Sequence, residues 1–271
     1  MKKPSLRIMV EKLKIVSLHV HHLCFNESLE QVTEFALQKR PSYVCFANVH
    51  MTIEAYNDRS FLEKVNSADL VLTDGKPVAI ACKLLYHKNQ DRICGMDFIP
   101  SILEKANEKK LSIFVYGSTT DVITSFKKMI ARSYSDIRFA GSISPPFRPL
   151  TVEETKKDIE KINGSEANLV FVALGCPKQE KWMAENSGQI NASLLGIGRA
   201  LSVVAGLQKR APKWMQNMAL EWVYRVIQQP QLLFKRYFYT NSYFIFLLAL
   251  DWAKNLLTKN RSAIKNNHVP N

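Results

Sequence analysis

An aspartate followed by a glycine, Asp74-Gly75, ends an apolar run and directly precedes a helix-like pattern. The run Leu70-Val71-Leu72 is typical of a buried parallel strand, and Pro77 suits the first turn of a helix. An Asp-Gly pair is by itself a turn signal, since glycine adopts positive φ at little cost and aspartate bonds its own backbone. Its position suggests more, because open α/β sheets bind ligands at the carboxyl ends of their strands. Asp74 is therefore a candidate for chemistry in such a crevice.

Other polar residues follow strand-like segments and would meet at the same sheet edge. They are Asn48 and His50, Thr73 and Asp74, Gly117 to Thr120, and Gly175 to Glu180. The last two loops lead into helices whose first N–H groups can receive phosphate oxygens. Turn and helix-capping roles alone also explain residues of these loops, so the convergence is a stronger signal than any single loop.

Arg92 is a candidate for binding a diphosphate, because a guanidinium forms bidentate hydrogen bonds and stays charged when partly buried. An ordinary surface arginine is the alternative. No Asp-x-Asp occurs, and no His, Cys or carboxylate cluster has the spacing of a metal site. We therefore expect no metal or other cofactor, with side chains and helix ends neutralising phosphate. Cys176 fits a small apolar residue at a tight turn better than a nucleophile, since no histidine is suggested beside it.

Strand-like and helix-like patterns alternate from Lys14 to about Gly206. Strands are predicted within 42–50, 70–75, 111–118 and 137–147, helices over 52–68, 76–86, 119–134 and 151–163, and a strand, loop and helix over 168–186. This alternation predicts an α/β fold with a Rossmann-like, mainly parallel sheet covered by helices on both faces. We expect an α/β core over residues 1–206 and a helical, basic, amphipathic appendage over 207–271.

The appendage concentrates positive charge. The whole chain of 271 residues has a formal net charge of +13, and ten basic against two acidic residues lie between Lys209 and Lys265. Aromatic residues alternate with these cations, a mixture suited to a membrane headgroup region. The apolar stretch YFIFLLAL is far shorter than the roughly 20 residues of a spanning helix. The pattern predicts docking on an anionic membrane surface or packing in a core, without crossing the bilayer.

Five cysteines without Cys-x-x-Cys spacing indicate a reduced, cytoplasmic protein. The basic N-terminus lacks the apolar stretch of a cleaved export signal, because Glu11, Lys12 and Lys14 interrupt it. Nucleic-acid binding would fit the net charge, but no helix-turn-helix, zinc-finger or RNP pattern is present. We expect no nucleic-acid partner.

Six motifs in this order resemble the WecG/TagA/CpsF glycosyltransferase family: FANVHMTIEAYND, ADLVLTDGKPVAIA, RICGMD, GSISPPF, LGCPKQEKWM and QKRAPKWMQNMALEWVYRVIQQP. The resemblance implies a metal-independent, inverting transfer of an N-acetylmannosamine-type HexNAc from a UDP-sugar. The implied acceptor is a polyprenyl-diphosphate-linked GlcNAc, in the synthesis of teichoic acid or another cell-surface polysaccharide. It further implies a peripheral protein on the cytoplasmic face of the membrane. The chain departs from the family pattern at Phe46, Ser202 and Leu232.

The resemblance also implies roles for particular residues. Asp74 would be the general base, Asn48 would position substrate and Arg92 would stabilise the leaving diphosphate. The remaining substrate-binding residues would be Gly117, Gln179, Glu180, Arg210 and Arg225, of which the two arginines would reach the lipid diphosphate. A noncatalytic, nucleotide-binding and membrane-tethered component of a polysaccharide assembly is the alternative function. The sequence leaves the oligomeric state open, including a homo-oligomer.

Overall fold

The computed structural model describes residues 10–266 and, for side chains, residues 10–257. Residues 1–9 of the predicted core and residues 267–271 of the predicted appendage lie outside the described part. The side chains of Lys259, Arg261 and Lys265 also lie outside it. The strands are β1 Lys12–Ile15, β2 Leu18–His21, β3 Ser42–Ala47, β4 Leu70–Thr73, β5 Ser112–Gly117, β6 Arg138–Ile143, β7 Leu169–Ala173 and β8 Ser193–Gly196. The core helices are α1 Phe25–Leu37, α2 Val49–Asn57, α3 Arg59–Asn66, α4 Lys76–Tyr86, α5 Gly95–Glu108, α6 Thr120–Ser133, α7 Val152–Gly164, α8 Lys178–Asn186 and α9 Ala200–Val204. The appendage contains α10 Lys213–Asn217, α11 Glu221–Gln228 and α12 Pro230–Asn266.

Six parallel strands form the central sheet in the order β4-β3-β8-β7-β5-β6. Successive residues of a strand point to opposite faces, so a sheet covered on both faces needs strands that are apolar throughout. β3 meets this demand: all six of its residues are buried, with Cys45 on one face and Val44 and Phe46 on the other. The predicted fold class, a parallel α/β sheet with helices on both faces, is confirmed.

The two faces carry different helices. One apolar cluster includes residues of α2, α3, α4, α7, α8 and α12, whereas the opposite cluster includes residues of α1, α5, α6 and α9. An antiparallel hairpin of β1 and β2 packs beside β4, where the His21 ring accepts a hydrogen bond from the Val71 N–H at 2.9 Å. The hairpin therefore covers part of an otherwise open sheet edge, a common protection of edge strands.

The single helix predicted over 52–68 is two helices. Asp58 caps α3 by accepting a hydrogen bond from the Phe61 N–H at 3.0 Å, and its extended backbone ends α2. Lys181 on α8 also bonds the Asp58 carboxylate at 2.9 Å. The helix breaks because aspartate satisfies a helix N-terminus better than it continues a helix interior.

The C-terminal helix α12 packs on the core along part of its length. Phe244 and Leu247 are buried in the same apolar cluster as α2 and α4, while Ile245 and Phe246 are exposed. Among the described residues, no helix combines the length and apolar character needed to cross a bilayer.

Gly117 ends β5 with φ of +101°, a conformation that L side chains rarely adopt. A Cβ atom there would lie 2.7 Å from the carbonyl carbon and oxygen of Ala173 on β7. The close approach that this glycine permits is therefore between two neighbouring strands.

We expect Gly117→Ala to lower the free energy of unfolding by about 2–4 kcal/mol, through backbone strain and overpacking. Urea titration of the purified variant measures this change. Gly164→Ala is the matched control, because Gly164 ends α7 and a Cβ added there would meet nothing within 4 Å. A Gly117→Ala protein as stable as the Gly164→Ala protein would contradict the prediction.

Candidate functional site

A cavity of about 370 Å³ lies at the carboxyl ends of β3, β4 and β8 and beside the loop after β7. The appendage closes its other side with residues of α11 and α12. Among the described residues, five cationic side chains and two carboxylates line it: Lys76, Arg92, Arg199, Arg225 and Arg236, with Asp74 and Glu221. With both carboxylates ionised, these side chains give the cavity a net charge of +3. Such a site favours anionic ligands.

Asp74 is positioned by a backbone hydrogen bond to the neighbouring strand and by the side chain of a helix cap. Its N–H donates to the carbonyl of Ala47 at the end of β3, at 2.8 Å. Asn48 caps α2, so its Oδ1 accepts from the Met51 N–H at 3.1 Å and its Nδ2 is left to donate to Asp74 Oδ2 at 3.4 Å. Helix capping thereby fixes which end of the Asn48 amide faces the carboxylate.

The pKa of Asp74 is raised from 3.8 to about 6, and burial is the largest cause. Hydrogen bonds from the Cys94 thiol and Asn48 and the charge of Arg92 act in the opposite direction, while the negative charge of Glu221 raises the pKa further. A carboxylate that is mostly ionised at neutral pH, with a proton affinity near the working pH, is suited to general base catalysis.

Arg92 is positioned by a short loop tied to β4. The Ile93 N–H donates to the Thr73 carbonyl at 2.7 Å, and the Thr73 hydroxyl donates to the Asp91 carbonyl at 2.6 Å. The Arg92 guanidinium then donates to Asp97 at 2.8 Å and to Glu221 at 3.2 Å. Because Glu221 belongs to α11, this ion pair joins the core to the appendage.

A second ion pair, between Arg210 and Asp97, makes the same connection. The Arg210 guanidinium donates to both Asp97 oxygens, at 2.6 and 2.7 Å. Burial acts to raise the pKa of Asp97, but the hydrogen bonds and charge of Arg210 and the charge of Arg92 outweigh it and hold that pKa below its usual range. Asp97 therefore remains ionised between two arginines.

Arg199, Arg225 and Arg236 line the cavity and form no ion pair with any carboxylate among residues 10–257. The guanidinium carbons of Arg225 and Arg236 lie 5.5 and 5.2 Å from the ring centre of Tyr237. Burial, together with the positive charges of Arg236 and Arg225, lowers the pKa of His50 to about 4, so this cavity-lining imidazole is neutral. We name the three arginines the arginine wall; its uncompensated charge suits phosphate groups.

Gln179 follows β7 at the start of α8 and lines the cavity. Its Nε2 donates to the Gly196 carbonyl at 3.0 Å and to Glu180 Oε1 at 2.7 Å. Its Oε1 accepts from the Gly175 N–H at 3.2 Å. Both amide protons of Gln179 are therefore already used inside the protein.

Within the described residues, no group of three or more His, Cys, Asp and Glu side chains is arranged to hold a metal ion.

The model of the glycosyl transferase WecG/TagA/CpsF family matches residues 13–258 of the chain. The chain belongs to this glycosyltransferase family. Membership favours the enzyme over the noncatalytic binding component that the sequence left as an alternative.

Relatives in the family are named N-acetylglucosaminyldiphosphoundecaprenol N-acetyl-beta-D-mannosaminyltransferase. The protein of Bacillus subtilis (strain 168) is 33% identical over 194 residues, which cover 71% of this chain and 74% of that protein. The Bacillus spizizenii protein is 32% identical over 199 residues, covering 73% and 76% of the two chains. The Staphylococcus aureus (strain MW2) protein is 26% identical over 254 residues, covering 92% and 95%.

The structure of this glycosyltransferase brings together most of the site residues predicted from the sequence. Those lining the cavity are Asn48, Asp74, Arg92, Gln179 and Arg225; those outside its lining are Gly117, Glu180 and Arg210. Glu180 is fully buried behind Gln179, and Arg210 is paired with Asp97. The loop after β5, which was also predicted to reach this sheet edge, contributes no lining residue among those described.

Sequence reasoning missed several lining residues: it assigns no role to Lys76, Arg199, Glu221 and Arg236, and it identifies His50 only as a strand-end residue. Arg236 and Glu221 lie far along the chain from the strand ends, so no local spacing connects them with Asp74. The excess of basic residues in the appendage was the available signal, but it did not distinguish membrane-facing from cavity-facing residues.

We expect Glu180→Gln to remove a pH dependence of stability. Burial raises the pKa of Glu180 from 4.5 to about 7, so the stability that the neutral acid provides below pH 4.5 is lost as pH rises through 7. Between pH about 4.5 and about 8, the free energy of unfolding of the wild type should therefore fall by on the order of 2–3 kcal/mol relative to that of Glu180→Gln. Denaturant titrations at both pH values measure the difference. Glu185→Gln, on the exposed face of the same helix, is the control, and equal behaviour of the two variants would contradict the prediction.

Proposed function

We propose that this enzyme transfers an N-acetylmannosamine-type HexNAc from a UDP-sugar to a polyprenyl-diphosphate-linked GlcNAc, the reaction type in the names of its relatives. The observation that carries the proposal is the Asp74 carboxylate, whose pKa burial raises to about 6, in a cavity that is otherwise cationic. This arrangement supplies a base for an acceptor hydroxyl and positive charge for a leaving diphosphate.

In the proposed reaction, Asp74 accepts the proton of the acceptor sugar hydroxyl as that oxygen attacks the anomeric carbon of the donor. The new glycosidic C–O bond forms while the bond between the anomeric carbon and the UDP oxygen breaks, and the electron pair leaves with UDP. A single displacement of this kind inverts the anomeric centre. Asn48 holds the carboxylate in place through the hydrogen bond at 3.4 Å.

The leaving diphosphate develops negative charge, and cationic side chains positioned beforehand stabilise such charge without rearranging. Arg92 stands beside Asp74, and the arginine wall adds three further guanidiniums. We propose that these groups neutralise the donor diphosphate and, through Arg225, the lipid diphosphate of the acceptor, while Arg210, which is paired with Asp97, holds the appendage on the core. On this account, the transfer needs no metal ion.

We further propose that the enzyme docks on the anionic cytoplasmic face of the membrane, where a polyprenyl-linked acceptor would reside. Supporting this, the first turns of α12 expose aromatic rings next to basic residues, with Phe234 60% and Phe238 67% exposed and stacked at 6.1 Å. Lys235 lies between them in sequence. Aromatic and cationic side chains of this kind bind at the membrane headgroup region.

Replacing Asp74 by Asn should leave a folded protein that still binds UDP but turns over roughly two to four orders of magnitude more slowly, because the amide cannot accept the proton. Release of UDP from UDP-N-acetylmannosamine, with a synthetic lipid-diphosphate GlcNAc as acceptor, measures turnover. Circular dichroism verifies folding. Wild-type turnover in the folded variant would remove Asp74 from the mechanism.

Replacing Phe234 and Phe238 together by Ser should weaken binding to vesicles that contain anionic phospholipid, because the rings would no longer enter the interface. Co-sedimentation at low and high salt measures this, and the part of binding that resists salt should fall most. Phe147→Ser is the matched control, since Phe147 is 92% exposed on the loop before α7. Equal binding by the double variant and the control would contradict the proposed docking surface.

A further inference from the structure

Glu180 is buried yet lies next to a residue of the cavity. Its side chain is 0% exposed and is absent from the cavity lining, so it does not reach a ligand there. Its Oε1 accepts the Nε2 hydrogen bond of Gln179 at 2.7 Å, and a hydrogen bond from the Cys176 thiol to the carboxyl group opposes the rise of its pKa. Burying a carboxyl group costs free energy unless hydrogen bonds, an ion pair or protonation compensate it, so a residue of this kind at a site calls for a structural explanation.

The partner of Glu180 joins two loops that are distant in sequence. Gln179 accepts from the Gly175 N–H in the loop between β7 and α8, and donates to the carbonyl of Gly196, the last residue of β8. The first loop contributes Cys176 to the cavity lining, and the residues after Gly196 contribute Gly198 and Arg199.

Two glycines leave the space that this amide occupies. A Cβ on Gly196 would lie 3.2 Å from Gln179 Nε2 and 2.6 Å from the Met183 Cε atom. A Cβ on Gly198, whose φ is +49°, would lie 3.2 Å from Gln179 Oε1. The loop after β8 is therefore shaped around the amide of Gln179.

We propose that Gln179 and Glu180 form a buried clamp, with Glu180 a positioning residue that acts through Gln179 to hold the loops after β7 and β8 at the spacing the nucleotide donor needs. The clamp explains why Gln179 has no free amide proton for a ligand. It also assigns Glu180 a role that a side chain without access to the cavity can perform. The nucleotide part of the proposal rests on the proposed function, whereas the loop spacing does not.

Because the clamp makes Glu180 and Gln179 one unit, the effects of substituting them on UDP affinity should not be additive. Glu180→Ala, Gln179→Met and the double variant should each weaken UDP binding by about tenfold, the size expected when one buried hydrogen bond is lost. Glu180→Gln keeps an oxygen acceptor for Gln179 Nε2 and should bind UDP within about threefold of the wild type. Glu185→Ala, on the same helix, is the control and should bind as the wild type does.

The experiment combines calorimetric titration with UDP and hydrogen exchange of the ligand-free proteins. The clamp predicts faster amide exchange in peptides covering 174–177 and 196–199 for Glu180→Ala, with rescue in Glu180→Gln. Unchanged exchange there, or additive losses of UDP affinity in the double variant, would overturn the clamp. Should Glu180→Ala not fold, Gln179→Met alone carries the same two expectations. A wild-type protein that binds no UDP would refute the proposed donor and leave the exchange result to decide on the clamp.

Discussion

The arrangement of the site depends on keeping a carboxylate ionised where solvent is largely excluded. Asp74 directly follows β4 in a recess where burial alone would favour the protonated acid. Asn48, Cys94 and Arg92 stabilise its charge, whereas Glu221 opposes it, and the balance brings the pKa to about 6. Each of these groups comes from a different segment: a helix cap, the start of α5, the loop after α4 and the appendage. The fold is therefore constrained at this point by electrostatics as much as by packing.

The appendage belongs to the site as well as to the surface. Two ion pairs, Arg92 with Glu221 and Arg210 with Asp97, connect it to the core, and Phe244 is buried in the apolar cluster below α12. The appendage supplies two members of the arginine wall, Arg225 and Arg236, and exposes aromatic rings in the first turns of α12. A helix that contacts both the cavity and the proposed membrane surface would place a lipid-linked acceptor near the base. This geometry links the proposed docking to the proposed chemistry.

The sequence predicted five of the six strands of the central sheet, most of the core helices and the position of Asn48 and Asp74 at one sheet edge, because periodicity and strand-end position are local signals. The appendage helix was also predicted, from the mixture of basic and aromatic residues. Strand β8 and helices α1, α5 and α9 were not assigned, and Pro100 lies within α5. The antiparallel pairing of β1 with β2 and the break at Asp58 were missed, since both depend on capping and edge contacts.

Within the site, the sequence could not predict contacts between distant segments. Nothing in the spacing of Arg199 and Arg236 indicates that they line one cavity, and nothing around Glu180 indicates that it is buried behind Gln179. The basic composition of the appendage gave an unspecific signal for anionic ligands. Side-chain direction, which separates a residue that touches a ligand from one that supports it, emerges only when the helices pack.

The central claim is that the Asp74 carboxylate, with a pKa of about 6, removes the proton of the acceptor hydroxyl. The most direct test is the pH dependence of the single-turnover transfer rate at saturating donor and acceptor. A base must be ionised to act, so the rate should level off above pH about 7 and fall about tenfold for each pH unit below the pKa of Asp74. The residual rate of Asp74→Asn should lack this fall. A wild-type rate that stays constant from pH about 5 to about 8 in the folded enzyme, or a fall that persists unchanged in Asp74→Asn, would contradict the account.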